Sequence, residues 1–231
     1  MKERPILFSG EEVRSTLRGA RTQVRRQIRE RDVYQHEDGR WIVRFHGARV
    51  GLVAGSKDCA ELANCDSPFG SRRDRLWVRE THGSADLYYQ GHENDVPSVI
   101  AYRADQSAIQ FDARRPVAVP ARDLASWNWD LMKWSPSTFM PRWASRITLP
   151  LVEVRIERVQ DISGEGARAE GVTAPRCGCE VCSRGTAICP ADATSYIEGF
   201  RDLWAATYGR ESWEANPWVW VLRWERAEVR K

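Results

Sequence analysis

The segment TLPLVEVRIERV, Thr148–Val159, contains the clearest strand in the sequence. Three apolar residues alternate in it with three charged ones: Val152, Val154 and Ile156 against Glu153, Arg155 and Glu157. Because the side chains of a strand point alternately to its two faces, this period of two separates an apolar face from a charged one. The segment therefore predicts a strand that packs one face against a core.

The residues after this strand predict helices and one further strand. Asp161–Gly171 is expected to form a short helix or a turn, and Val172–Pro190 is an insert dense in Cys, Gly and Pro. Ser195–Tyr208 fits an amphipathic helix, because its large apolar residues recur at helical spacing. Asn216-Pro217 then interrupts the chain before a last strand, Trp218–Trp224.

The residues before this strand predict one helix and several strands. Ser9 is a good N-cap for a helix over Glu11–Leu17, and Gly19 is a natural residue to end it. Strands are expected at three places: Ile6–Phe8, Trp41–Phe45 and Arg75–Glu80. Lys57–Arg73 is rich in Asp, Ser, Gly and Asn, which predicts a loop.

The remaining long segment, Tyr102–Asp130, contains Pro116 and Pro120 and is expected to be a turn-rich excursion. Strands outnumber helices and are well separated along the chain, with long connections between them. This pattern favours an α+β fold in which residues 1–231 form a single domain. We expect a small mixed β-barrel with flanking helices and a Cys-rich insert at about residues 172–190.

The composition is that of an ordinary globular protein. The chain has 231 residues, of which 42% are hydrophobic and 29% are charged, and a formal net charge of +3. No stretch approaches the roughly 20 apolar residues that span a membrane, and the first residues lack the apolar core of a secretory signal. These features predict a cytoplasmic protein with no membrane partner. The eleven tryptophans exceed what a barrel core requires, so one or two could be stacking platforms for a base.

Four of the six cysteines lie close together in the insert. They follow the pattern C-x-C-x2-C-x6-C: Cys177, Cys179, Cys182 and Cys189. Four thiols in a short Gly- and Pro-containing segment can surround a tetrahedral structural zinc ion, and the alternatives are unmetallated thiols or a redox pair. Cys59 and Cys65 are expected to be free thiols, and the four histidines show no ligand spacing.

Five segments spread over most of the chain are similar to the long ASCH proteins common in phages and prophages. The segments are Leu17–Arg26 (LRGARTQVRR), Asp74–Glu80 (DRLWVRE), Lys133–Arg146 with its KWSP and MPRWASR motifs, Asp161–Gly171 with DIS and AEG, and Ser212–Trp220 (SWEANPWVW). The first is similar to the L-x-G-x-K-T-x-T-x-R signature of that family. The resemblance implies a PUA-like barrel with a cleft that takes RNA or a nucleoside.

Some small ASCH proteins are amidohydrolases that remove the acetyl group of N4-acetylcytidine by means of a Lys, a Thr and a Glu. Glu170 matches the Glu, whereas Arg21 stands at the Lys position and Val24 at the Thr position. Valine has no hydroxyl to be acylated, and arginine remains protonated and cannot act as a general base. Glu170 is therefore the single catalytic candidate that is retained, and we expect deacetylation to be absent.

The resemblance also implies a set of ligand-binding residues, some for phosphate, some for stacking and one for a base edge. They are Arg21, Thr22, Arg25, Arg26, Trp77, Arg79 and Glu170. Arginines would contact phosphate, an aromatic ring would stack on a base, and Glu170 would accept from an exocyclic amine. Without the resemblance, the sequence predicts that Trp77 lies in the core and that Glu170 is an exposed residue at the end of a helix.

Three functions are compatible with these residues. The first is a binding module for RNA or a modified nucleotide. The second is a hydrolase of the same fold, either an amidohydrolase or a ribonuclease, which would turn over a nucleoside or RNA. The third is a phage accessory module that binds another protein through exposed tryptophans.

Overall fold

The computed structural model describes residues 1–29, 32–35, 37, 41–45, 48–53, 67–86, 98–111, 116–125, 127–130, 132–173 and 190–230. The fold is α+β, as the sequence predicts. Its strands are β1 (Glu3–Leu7), β2 (Gln23–Gln27), β3 (Val33–Gln35), β4 (Trp41–Phe45), β5 (Ala48–Val53), β6 (Arg75–Arg79), β7 (His82–Asp86), β8 (Ser98–Tyr102), β9 (Ser107–Phe111), β10 (Pro116–Ala118), β11 (Trp134–Ser135), β12 (Ile147–Arg158), β13 (Trp218–Trp224) and β14 (Glu228–Val229). Its helices are α1 (Gly10–Leu17), α2 (Ala121–Leu124), α3 (Gly164–Ala169), α4 (Pro190–Tyr208) and α5 (Arg210–Glu214), with 3-10 turns at Ser137–Phe139, Arg142–Ala144 and Val159–Asp161.

The chain divides into two compact units. The first unit comprises Met1–Lys2, Gly19–Asp74 and Leu151–Arg226. The second unit comprises Glu3–Arg18, Arg75–Pro150 and Ala227–Lys231. The chain passes from the second unit to the first within β12.

The first unit is built on a sheet in which β13 lies between β12 and β2, antiparallel to both. One cross-strand row, Val154–Leu222–Val24, is buried. The adjacent row pairs Val221 with an arginine on either side and points to the opposite face. This row lies on the face that α3 and α4 cover, because Val221 packs with Phe200 and Trp204. A second sheet, β3-β4-β5, completes the unit.

The second unit contains a five-stranded antiparallel sheet in the order β10-β9-β8-β7-β11. Both faces of its central strand are covered. Ile100 and Tyr102 pack with Met140 on one face, while Val99 and Ala101 face a group of partly buried tryptophans on the other. In the same unit β1 runs parallel to β6, and β6 pairs antiparallel with the first residues of β12.

This five-stranded sheet corrects the expectation of a turn-rich excursion over Tyr102–Asp130. Because β8 is covered on both faces, its sequence SVIAY lacks the alternation that reveals a half-buried strand. Pro116 is the first residue of β10, which lies at the edge of the sheet. Proline is tolerated there, since an edge strand can lack a donor on its open side.

The expected helices are confirmed. Ser9 caps α1 in a capping box, in which its hydroxyl accepts from the Glu12 amide (3.3 Å) and the Glu12 carboxylate accepts from the Ser9 amide (2.8 Å). Gly19, with φ of 71°, takes the left-handed conformation that ends the helix. The helix expected over Ser195–Tyr208 begins earlier, at Pro190, a residue suited to a first helical turn. Among the helices that the structure describes, none is long and apolar enough to cross a membrane.

Candidate functional site

Glu170 and two arginines of the predicted site meet in the first unit. Arg21 Nη1 donates to Glu170 Oε2 (3.1 Å), and Arg25 Nη1 donates to Glu170 Oε1 (2.9 Å). The relative exposures of Arg21, Arg25 and Glu170 are 4%, 2% and 2%. The two arginines are separated from Glu170 by 149 and 145 residues along the chain, so tertiary folding alone brings this arginine–glutamate cluster together.

Glu170 is held in place by the helix that ends at it and by backbone contacts with Arg21 and Thr22. Ser163 caps α3, its hydroxyl accepting from the Gly166 amide (3.0 Å), and Glu170 is the residue that ends the helix. Gly171 follows with φ of 82°, a conformation that glycine adopts at little cost. The backbones of Arg21 and Glu170 form an isolated β-bridge, and the Thr22 amide donates to the Ala169 carbonyl (2.9 Å).

Further charges extend the cluster toward the surface. Arg25 also pairs with Glu157, which in turn accepts from Arg155 Nε (3.1 Å). Arg155 contacts Glu153 (2.9 Å), a carboxylate that is 38% exposed and also lies near Arg223. The Arg25 guanidinium lies 5.5 Å from the centroid of the Phe200 ring. Each buried charge therefore has an opposite charge beside it, as a low-dielectric environment requires.

Three further residues of the amidohydrolase pattern, Thr22, Val24 and Arg26, have other contacts. Val24 is 1% exposed and belongs to the buried row of β2, opposite Leu222. Thr22 is partly buried, and its carbonyl accepts from the Trp224 amide (2.9 Å). Arg26 Nη1 donates to the Arg25 carbonyl (3.3 Å).

Trp77 and Arg79 lie in the second unit. They are two residues apart on β6, and the Arg79 guanidinium lies 5.5 Å from the centroid of the Trp77 ring. Arg142 approaches the same ring, at 5.9 Å. Within the part of the chain that the structure describes, no group accepts a hydrogen bond from Arg79 Nε, although this atom is buried.

A cleft of about 450 Å³ in the first unit was not anticipated from the sequence. We call it the Trp218 cleft; it is lined by Gln27, Ile28, Val33, Arg158, Tyr208, Glu211, Ser212, Ala215, Pro217 and Trp218. The Arg158 guanidinium lies 4.2 Å from the centroid of the Trp218 ring, a close cation–π contact. Burial lowers the pKa of Arg158, and the charge of Asp161 opposes this shift.

The stack of Arg158 on Trp218 is fixed by its surroundings. The two residues are direct cross-strand partners at the ends of β12 and β13. Arg158 Nη1 donates to the Asn216 carbonyl (2.9 Å), and the Asn216 side chain accepts from the Gln160 amide (3.1 Å). Asn216 has φ of 46°, a left-handed conformation that asparagine tolerates better than most residues. The Asn-Pro dipeptide was the available signal, but pairing register alone places Arg158 beside Trp218.

A second buried charged group lies in the second unit and was also missed. Arg146 binds Glu80 through two hydrogen bonds, Nε to Oε1 (2.9 Å) and Nη2 to Oε2 (2.8 Å), and it contacts Asp105 as well (2.9 Å). Burial raises the pKa of Glu80, and the hydrogen bonds from Arg146 oppose the rise. Arg146 precedes β12, so its pairing with both carboxylates ties the start of that strand to the β6–β7 and β8–β9 connections.

The expected zinc ligands Cys177, Cys179, Cys182 and Cys189, like Cys59 and Cys65, lie outside the described residues. Within the described ranges, no group of three or more His, Cys, Asp or Glu side chains could hold a metal ion. His82 lies near the Glu80 carbonyl (3.3 Å), and burial lowers the pKa of its imidazole. The zinc site therefore remains a prediction from spacing.

Comparison of the chain with protein-family models, with curated proteins and with solved structures finds no match.

Proposed function

We propose that this protein binds RNA or a modified nucleotide, with a base held in the Trp218 cleft. The observation that carries the proposal is the Arg158–Trp218 stack, with a distance of 4.2 Å from guanidinium to ring centroid, in the wall of that cleft. Aromatic rings and arginine planes are the surfaces on which proteins stack unpaired bases. The stack is formed by strand pairing, so this surface exists before a ligand arrives.

The size and the polar groups of the cleft support the same proposal. Its volume of about 450 Å³ lies within the range typical of small-molecule sites. Gln27 offers both donors and an acceptor at one side, and Glu211 offers a carboxylate. A carboxylate accepts hydrogen bonds from an exocyclic amine and repels phosphate. We therefore expect the base to enter the cleft, with a preference for cytosine or adenine over uracil.

In this proposal the arginine–glutamate cluster positions the strands that form the cleft. Both oxygens of Glu170 accept from guanidinium groups, so a phosphate would reach Arg21 or Arg25 only by replacing the carboxylate. Arg25 and Gln27 lie on the same strand, and Gln27 lines the cleft. The cluster thus joins β2 to the end of α3 and to β12, while the ligand contacts the cleft.

We further propose that the α+β fold is a PUA-like barrel of the ASCH type in a cytoplasmic protein. The contact between Arg21 and Glu170 supports the family assignment, because the resemblance places these two positions in one site. A structural zinc ion held by the four insert cysteines belongs to the same proposal.

Calorimetric titration of the full chain with cytidine, adenosine and uridine tests the proposed cleft. Trp218→Leu should abolish measurable nucleoside binding, because it removes the stacking ring. Glu211→Gln should narrow the difference between cytidine and uridine, since an amide can also donate to a carbonyl oxygen. Trp129→Leu is the matched control, since Trp129 is a partly buried tryptophan of the second unit and does not line the cleft. Equal affinity of the wild-type and Trp218→Leu proteins for every nucleoside would exclude the cleft.

A further inference from the structure

Two large aromatic side chains of the second unit are exposed. Phe139 is 74% exposed and Trp143 is 52% exposed, and they lie on consecutive 3-10 turns. Phenylalanine and tryptophan usually bury most of their surface, so two neighbouring exposed rings call for a physical explanation.

The backbone beneath these rings is firmly anchored. Met140, which lies between them in the sequence, is 1% exposed and packs with Ile100 and Tyr102. The Tyr102 hydroxyl donates to the Ala144 carbonyl (2.8 Å), directly after Trp143. Because the turns are already ordered, a ligand that stacks on the rings loses little additional conformational entropy.

Two arginines lie at the turn that carries Trp143. Arg230 Nη1 donates to the Trp143 carbonyl (2.8 Å), and Arg142 lies on the same turn as Trp143. Arg142 binds Glu3 through two hydrogen bonds (2.8 and 3.1 Å). These bonds lower the pKa of Glu3, and the charges of Arg142, Arg75 and Arg230 lower it further against the opposing effect of desolvation. Glu3 therefore lies in a region of net positive charge.

Arg79 adds a cation without a described counterion. Its guanidinium lies near the Trp77 ring, which Arg142 also approaches, so Trp77 links Arg79 to the turn of Trp143. Among the described residues, no carboxylate forms an ion pair with Arg79, whereas Arg142 is paired with Glu3. A partly buried guanidinium of this kind is available to an external anion.

We propose that this aromatic–arginine face, comprising Trp77, Arg79, Phe139, Arg142 and Trp143, binds single-stranded nucleic acid. Bases stack on Phe139 and Trp143, and Arg79 contacts a phosphate. Stacking rings beside positive charge are what sequence-tolerant single-strand binding requires. The proposal is independent of the Trp218 cleft, since every residue that carries it belongs to the second unit.

The arrangement suits a nucleic-acid strand better than a protein partner. The two exposed rings alternate in the sequence with a buried methionine and with Arg142, so a cation lies on the same turns as the rings. A stable protein interface buries about 800 Å² on each partner around an apolar centre. Stacking requires a single accessible ring for each base.

Fluorescence anisotropy with labelled oligouridine and oligodeoxythymidine tests this face in the full chain. Phe139→Ala and Trp143→Ala should each weaken binding roughly 5- to 150-fold, which is the range for loss of one stacked base. Trp143→Phe should restore most of the affinity, because a stacking ring remains. Arg79→Ala should reduce the slope of log affinity against log salt by about 0.7, the contribution of one phosphate on a single strand. Arg201→Ala removes an equally charged, 51% exposed side chain from the first unit and should change neither quantity.

Four outcomes decide between the alternatives. Unchanged oligonucleotide affinity in the Phe139→Ala/Trp143→Ala protein would overturn the inference, as would loss of self-association in that protein without loss of strand binding. If the double variant keeps cytidine binding but loses oligonucleotide affinity, both proposals stand. If the wild-type protein binds no nucleoside and the double variant loses strand affinity, the proposed cleft is wrong and the aromatic–arginine face is supported.

Discussion

Replacing Glu170 by glutamine should destabilise the protein strongly. The substitution keeps the size of the side chain but removes the negative charge that two buried guanidinium groups share. Removing one partner of a buried ion pair costs about 3 to 5 kcal/mol. Arg25 retains Glu157 as a partner, so we expect the lower end of this range, about 3 kcal/mol.

Urea denaturation followed by tryptophan fluorescence measures this loss. With an m-value of about 2 to 3 kcal/mol per molar, the midpoint should fall by about 1 to 1.5 M at unchanged slope. The control is Glu153→Gln, which removes a carboxylate that also contacts two arginines but is 38% exposed. Because solvent screens exposed pairs, this control should lose less than about 1 kcal/mol.

A double variant tests whether the guanidinium that Glu170→Gln leaves without its charged partner causes the loss of stability. Arg21→Met/Glu170→Met removes one charge of each sign, and Arg25 keeps Glu157. Apolar residues of similar size often replace buried ion pairs without loss of stability. The double variant should therefore be more stable than Glu170→Gln. If Glu170→Gln loses no more stability than the Glu153→Gln control, the buried cluster does not hold β2 to α3.

Three further outcomes are expected. Hydrogen bonds, the largest from the Lys2 amide, lower the pKa of Asp74, so its stabilising contribution is present above the unfolded pKa of about 3.9 and is lost as pH falls through the folded value. Asp74→Asn should therefore reduce the fall in the free energy of unfolding at acidic pH, and an unchanged fall would contradict this. Purified protein expressed with ample zinc should contain one zinc ion by elemental analysis and lose it on Cys182→Ser; metal-free wild-type protein would refute the ligand set. Chromatography after incubation with N4-acetylcytidine should show no deacetylation, because Val24 has no hydroxyl and is buried on β2. Deacetylation that Glu170→Ala abolishes would show that the protein is active without a hydroxyl at position 24.

Local elements were predictable where a cap or a chain-breaking dipeptide marks one end. The helix after Ser9 and the strand Trp218–Trp224, which follows Asn216-Pro217, lie where the sequence predicts them. The central strand β8 was missed because burial on both faces removes the polar alternation on which such predictions depend. The start of α4 at Pro190 was missed because the Cys-rich composition of the insert favours a loop.

The candidate site was likewise predictable only in part. The resemblance predicts that Arg21 and Glu170 lie in one site, and in the structure Arg21 Nη1 lies 3.1 Å from Glu170 Oε2. It also included Trp77 and Arg79, which the structure places in the second unit. The Trp218 cleft was not predictable, because Arg158 at the end of a charged strand is typical of an ordinary surface residue.

The sequence by itself determined the α+β class, most strands and the main helices, because alternation, helical spacing and capping act over a few neighbouring residues. Tertiary structure alone decided which side chains meet. The register between β12 and β13 sets Arg158 over Trp218, and a one-residue shift would turn these side chains to opposite faces. The contact of Arg21 with Glu170 spans 149 residues, and no local pattern encodes a contact over that separation. It forms because a charge carried into a sheet–helix interior must find an opposite charge there.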